Sequence, residues 1–148
     1  MKSIAVGACL AGICLAGAAQ AQTNPKDLKW GAAPPVFPHG SQMAVLSGDP
    51  SKTGEFVVRL RMPAGYRIPA HHHPTDEYVT VLSGDFSLGM GDKLDTAKGA
   101  ALVPGGFAMA PAGMNHFAWT KGGAVVQVSG AGPFTMVYVN PADDPTKH

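Results

Sequence analysis

Cysteine is almost missing from this 148-residue chain: there are two, Cys9 and Cys14, and both fall in an N-terminal stretch that reads as removable. The remainder of the chain has no disulfide to constrain it and no thiol nucleophile. Charge is scarce as well, at 14% of residues against about 25% in an ordinary soluble domain. Eleven Lys and Arg face ten Asp and Glu. That leaves no basic excess of the kind a nucleic-acid-binding face needs, so no nucleic-acid partner is expected. Glutamate is limited to Glu55 and Glu77. No run of ten or more residues carries a 3.6-residue apolar period, which argues against a helical bundle. A Gly-x-Ser-x-Gly elbow, a phosphate-binding glycine loop and a dinucleotide fingerprint are all lacking. What the chain does have is turn chemistry, with 19 Gly and 13 Pro alongside 45% hydrophobic residues, the mix of a turn-rich all-β domain.

Residues 1–21 read as an export signal. Lys2 precedes an apolar run of about 16 residues, and Ala19-Gln20-Ala21 supplies the small residues of a cleavage site. The run is shorter than the ~20 residues a membrane-spanning helix requires. Lipid attachment at Cys9 is disfavoured, because only eight residues precede it. The expected location is therefore periplasmic or secreted, with no membrane association after cleavage. Residues 22–40, with four prolines, read as an extended N-terminal arm. Residues 41–140 read as one β-barrel and 141–148 as a polar tail.

Within the barrel, residues 55–62 alternate cleanly. Phe56, Val58, Leu60 and Met62 fall on one face; Val57, Arg59 and Arg61 fall on the other, a solvent face. Segments 78–82 and 86–88 read as a hairpin across Ser83-Gly84-Asp85. Further strands are expected at 43–46, 101–103, 107–110, 116–120, 124–128 and 134–139. So many short strands in one domain imply a closed barrel or a two-sheet sandwich, since long open edges would be adhesive. Tyr78, Phe107, Met109, Phe117, Trp119, Met136 and Tyr138 read as core, with Phe107 and Met109 candidates for the barrel mouth.

Four of the six histidines fall in two places. The first stretch runs Gly65, five residues, His71, one residue, His73, three residues, Glu77, six residues, Gly84. The second runs Gly105, five residues, Pro111, one residue, Gly113, two residues, His116. Together they resemble the two signature motifs of the cupin superfamily, over residues 65–119. The second motif departs at its end, where the family often has Asn and this chain has Thr120. The resemblance implies a single-domain, double-stranded β-helix (jelly-roll) barrel. It also implies a metal centre made by His71, His73, Glu77 and His116.

Positions 71, 73 and 77 share parity, so extended chain points them to one face, and a later hairpin is expected to bring His116 opposite. Three imidazoles and a carboxylate suit a divalent transition metal: Fe, Mn, Ni, Cu and Zn all accept such ligands. Similar cupins leave coordination positions open for a small-molecule substrate. Glu77 then has a second expected role, as a catalytic group exchanging protons. His72, of opposite parity, is not expected to ligate, and His39 and His148 read as exposed. The resemblance implies a metal-dependent, dioxygenase-like oxidoreductase acting on a small organic molecule. Two alternatives stay open: a non-catalytic module that binds a ligand or metal, and an isomerase or decarboxylase of a sugar or small acid. A homodimer is expected by analogy with small cupins.

Overall fold

The computed structural model describes residues 22–147; the expected leader, residues 1–21, and His148 lie outside the described residues. The strands are β1 (Gly31–Ala32), β2 (Gln42–Ser47), β3 (Gly54–Met62), β4 (Arg67–His72), β5 (Glu77–Gly84), β6 (Phe86–Met90), β7 (Gly99–Leu102), β8 (Phe107–Ala110), β9 (His116–Trp119), β10 (Ala124–Gly132) and β11 (Val137–Tyr138). Among the described residues only short 3-10 turns accompany them, and no helix there is long and apolar enough to cross a membrane. The strands form two antiparallel sheets, ordered β1-β2-β3-β10-β5-β8 and β11-β4-β9-β6-β7, that face each other as a jelly-roll barrel.

Alternation decides which side chains enter the barrel. Along β3, Phe56, Val58, Leu60 and Met62 are buried, and they meet Val79, Val81, Val126 and Val128 from β5 and β10 in one core with Ile68, Phe86, Leu88 and Ala118 of the opposite sheet. Arg59 and Arg61 lie on the outer face as expected. Arg59 donates to Gln127, and the Arg61 guanidinium sits 3.9 Å over the Trp30 ring. The five-stranded sheet is also covered on its outer side, where Phe117 and Trp119 pack with Ala70 and Leu94. That cover explains why β9 and most of β6 are buried on both faces.

Three expectations change. The hairpin at 78–88 does not form. β5 pairs with β10 and β8, and β6 pairs with β7 and β9, so the two strands belong to different sheets. Ser83-Gly84-Asp85 is a corner, because the chain there leaves one sheet for the other. Phe107 and Met109 are not core or mouth residues; both point outward from β8, at 59% and 41% exposure, as does Tyr78 at 40%, while Ala108 and Ala110 take the inward positions. Finally, residues 67–72, not expected as a strand, form β4, whereas only Val137–Tyr138 of the 134–139 segment is strand.

Within residues 22–40 lie a 3-10 turn at Pro25–Asp27 and the two-residue β1. Two tyrosine hydroxyls tie this stretch to the barrel. Tyr138 donates to the Val36 carbonyl at 2.7 Å, and Tyr66 bonds the Pro38 carbonyl and the Ser41 hydroxyl. Tyr138→Phe removes one buried hydrogen bond while keeping the ring, and is expected to cost about 1 kcal/mol. The check is a lower urea midpoint with an unchanged slope; an unchanged midpoint would mean that this bond does not hold the arm.

Candidate metal centre

His71 reaches the interior through an irregularity in β4. Ile68 and His71 both line the space between the sheets, yet they are three residues apart, an odd interval that regular strand would put on opposite faces. The register of β4 on β9 shifts between Ile68 and His71, and the extra residue reverses the parity. Pro69 lies in the shifted segment, and having no N–H it loses nothing where the ladder is broken. His116, the first residue of β9, pairs directly with His71. His73 lies just past β4, after which the chain bends and enters the other sheet at Glu77, the first residue of β5. The shared parity of 71, 73 and 77 thus does not carry through an unbroken strand. His116 arrives by β4–β9 pairing, and not by the expected later hairpin.

Each imidazole is held by a backbone carbonyl at Nδ1. His71 contacts the Pro69 carbonyl at 2.7 Å, His73 the Thr135 carbonyl at 2.7 Å and His116 the Met114 carbonyl at 2.9 Å. A carbonyl only accepts, so Nδ1 carries the proton and Nε2 keeps its lone pair in the neutral ring. All three histidines are at most 3% exposed. One ring nitrogen from each lies within 4.8 Å of the others.

The Glu77 carboxylate joins them. Its Oε2 is 3.2 Å from His116 Nε2 and 3.8 Å from His73 Nε2. Neither Nε2 has a hydrogen-bond partner although both are fully buried. An unsatisfied buried nitrogen costs about 1–3 kcal/mol and a buried carboxylate more. The fold therefore holds two orphaned lone pairs beside an anion, a donor set that a cation bonded at about 2.1 Å to nitrogen and oxygen would satisfy. The residues fit a divalent metal on chemistry and on spacing.

The electrostatics of these groups agree with one another. Burial pushes His71 down to about 3, helped by His116 and His73. Burial lowers His73 too, against the pull of Glu77. In His116 burial also works downward, but the Glu77 carboxylate beside it wins and the value rises. Burial works to raise Glu77, and the contact with His116 and the nearby rings hold it below its usual value. Two of the three imidazoles thus resist protonation, while the carboxylate beside them is held ionised.

The other described histidines, His72 and His39, stand apart. His72 turns away and meets Asn115, which bonds Asp92; His39 is exposed. Thr120, where the motif departs, is 2% exposed, and its hydroxyl accepts the Gly123 N–H at 2.9 Å. It closes the turn into β10 and lies outside the donor cluster.

The cluster floors a cavity of about 220 Å³ between the sheets. Residues that sequence reasoning did not assign to the site complete the wall: Pro34, Val36 and Phe37 from the arm, and Phe134 and Met136 before β11. Phe134 stacks on His73, with ring centres 4.0 Å apart and planes at 20°. A signal for them existed in the apolar pairs that interrupt two Pro-containing stretches, but nothing local said that both would fold over the barrel.

Comparison with solved structures finds the same fold at low identity. The polyketide cyclase RemF of Streptomyces resistomycificus is 18% identical, with a TM-score of 0.65 over 85% of this chain and 89% of that one. A sugar phosphate isomerase from a cupin superfamily, of Silicibacter pomeroyi, is 22% identical, with a TM-score of 0.60 over 79% and 80%. The DMSP lyase DddQ of Ruegeria pomeroyi is 21% identical, with a TM-score of 0.59 over 75% and 60%. No curated protein sequence matches the chain. The model of the ChrR cupin-like domain does match, over residues 18–134. With that match spanning most of the sequence, and with the barrel and its histidine cluster built as described, the chain belongs to the ChrR cupin-like family of the cupin superfamily.

Proposed function

We propose that this protein is a metal-dependent oxidoreductase of the dioxygenase type, acting on a small organic molecule. In this reading His71, His73, His116 and Glu77 hold a divalent transition metal. The observation that carries it is the convergence of three carbonyl-oriented imidazoles and one carboxylate at the floor of a cavity. A metal held by these residues would supply Lewis acidity and a redox centre. The protein supplies the rest. The Pro69, Thr135 and Met114 carbonyls fix the rings so that each presents Nε2. The apolar wall keeps water away, and Phe134 holds His73 in place by stacking. Glu77, held ionised, accepts a proton from substrate at the carboxylate oxygen that does not face the His116 and His73 Nε2 atoms. Export after removal of residues 1–21, supported by their composition, makes the periplasm or the exterior the place of action. A homodimer is the working assembly in this reading, by analogy with small cupins.

The isomerase and decarboxylase reading is weaker, because both need a second acid or base near the metal. Glu55, the only other glutamate, is exposed, and no second carboxylate lines the cavity among the described residues. The test loads the protein with Fe(II), Mn(II), Ni(II), Cu(II) or Zn(II) in turn and follows oxygen uptake with acetylacetone and monocyclic aromatic enols. Uptake with a redox-active metal, lost in Glu77→Gln, is the expected result. Retained metal with no uptake, and a ligand recovered unchanged, would favour the non-catalytic binding module.

A further inference from the structure

We infer that the cavity selects an uncharged, largely apolar molecule whose buried part is a single ring. The inference rests on the reading of this cavity as the substrate site, and takes its argument from the walls and not from the metal. Above the donor cluster the lining is Val58, Leu60, Val79, Leu88, Val128 and Phe134, with further apolar side chains around them. Outside the cluster, Ser51 is the one polar side chain among the described lining residues, and its hydroxyl already donates to Asp49 at 2.7 Å. Among the described residues, no Lys, Arg, Asn or Gln lines the space. Arg59 and Arg61 of the adjoining strand are on the outer face, engaged with Gln127, Gln42 and Trp30. A phosphate, sulfonate or sugar hydroxyl lying against these walls would lose its hydration and find no donor or counter-ion on them in exchange.

Size narrows the class further. A dry apolar cavity of about 150 Å³ takes benzene, whereas drug-sized ligands occupy about 300–1,000 Å³. The 220 Å³ here fits one ring with one or two small substituents. Phe134, stacked against His73, gives that ring an aromatic neighbour beside the donor atoms.

The experiment titrates the full chain with three probes, in metal-loaded and chelator-stripped forms, by ligand-observed NMR. The probes are p-cresol, 4-hydroxybenzenesulfonate and glucose 6-phosphate. The first two share ring and phenol and differ only in the group opposite the hydroxyl. p-Cresol is expected to bind in both forms, at least tenfold more tightly than either charged probe. Val128→Phe and Val79→Phe, which narrow the cavity without altering a donor side chain, are expected to weaken p-cresol at least tenfold. Equal or tighter binding of the sulfonate or the sugar phosphate would overturn the inference, and so would p-cresol binding unaffected in a folded filling variant. Should both variants fail to fold, the ranking on the unmodified protein still decides. Metal content measured on the same samples separates the two readings. The p-cresol preference without metal retention leaves this inference standing and removes the metal enzyme; metal retention with the ranking reversed does the opposite.

Discussion

His73→Ala is expected to strip the protein of metal: at one equivalent of Zn(II) or Fe(II), retention after gel filtration should fall at least about a hundredfold in affinity terms. The scale comes from the effect of lesser changes, since removing a group that merely orients a ligand already costs about 10–100-fold. His73 is also the ring with the most support from distant chain. Its Nδ1 meets Thr135, 62 residues away in sequence, Phe134 covers its face, and its Nε2 is buried without a partner. Alanine leaves two imidazoles and a carboxylate around a gap that no neighbouring donor fills among the described residues. Elemental analysis of the purified variant beside the parent checks this, with circular dichroism to establish that the barrel is intact. An unchanged metal content in a folded variant would mean that His73 does not ligate, and the proposed oxidoreductase would lose its centre. His72→Ala is the internal control: same stretch, same chemistry, but a ring turned to Asn115, so retention should stay at the parental level.

That contrast between neighbours shows how far the residues themselves could be read. The alternation of residues 55–62 told inside from outside along β3 because one face is apolar at every second position, and burial agrees at each of them. Spacing likewise singled out the three histidines that come together and separated them from His72. The path that joins them was hidden. Ile68 and His71 both face inward only because β4 carries a register shift, and a six-residue strand containing a proline gives no alternation from which to see it. The division into sheets was hidden too. Tyr78-Val79-Thr80-Val81-Leu82 and Phe86-Ser87-Leu88 look like hairpin partners at short range, and only long-range pairing with β10 and β9 pulls them apart. The cavity wall was the least visible part. Phe37 and Phe134 are almost a hundred residues apart, and their shared site comes from tertiary packing that no local pattern encodes.

Gly84→Ala is expected to be far more damaging than Gly65→Ala, costing about 3 kcal/mol or more against about 1. Both glycines are fixed positions of the first motif, and both have left-handed backbone, φ +80° and +74°, a conformation that costs a non-glycine residue about 1–3 kcal/mol. The difference is what a Cβ would meet. At Gly65 nothing lies within 4 Å; at Gly84 the added carbon would fall 2.0 Å from the Gly123 carbonyl oxygen and 2.9 Å from the Ala124 Cα. Those are backbone atoms, and they cannot swing aside like a side chain. They are also pinned, because Gly123 donates to Thr120, and Asp85 accepts the Lys121 and Gly122 N–H groups at 2.7 Å each. Moving them means separating β5 from β10 at the corner where the chain crosses between sheets. Urea denaturation of the two variants against the parent checks the prediction, read as the shift in midpoint at constant slope. If Gly84→Ala and Gly65→Ala shift it equally, backbone conformation alone explains the motif glycine, and the close approach of β5 to the β9–β10 turn carries no weight. The larger loss at Gly84 would instead mean that the motif keeps glycine there for the corner that sets β5, and with it Glu77, opposite the histidines.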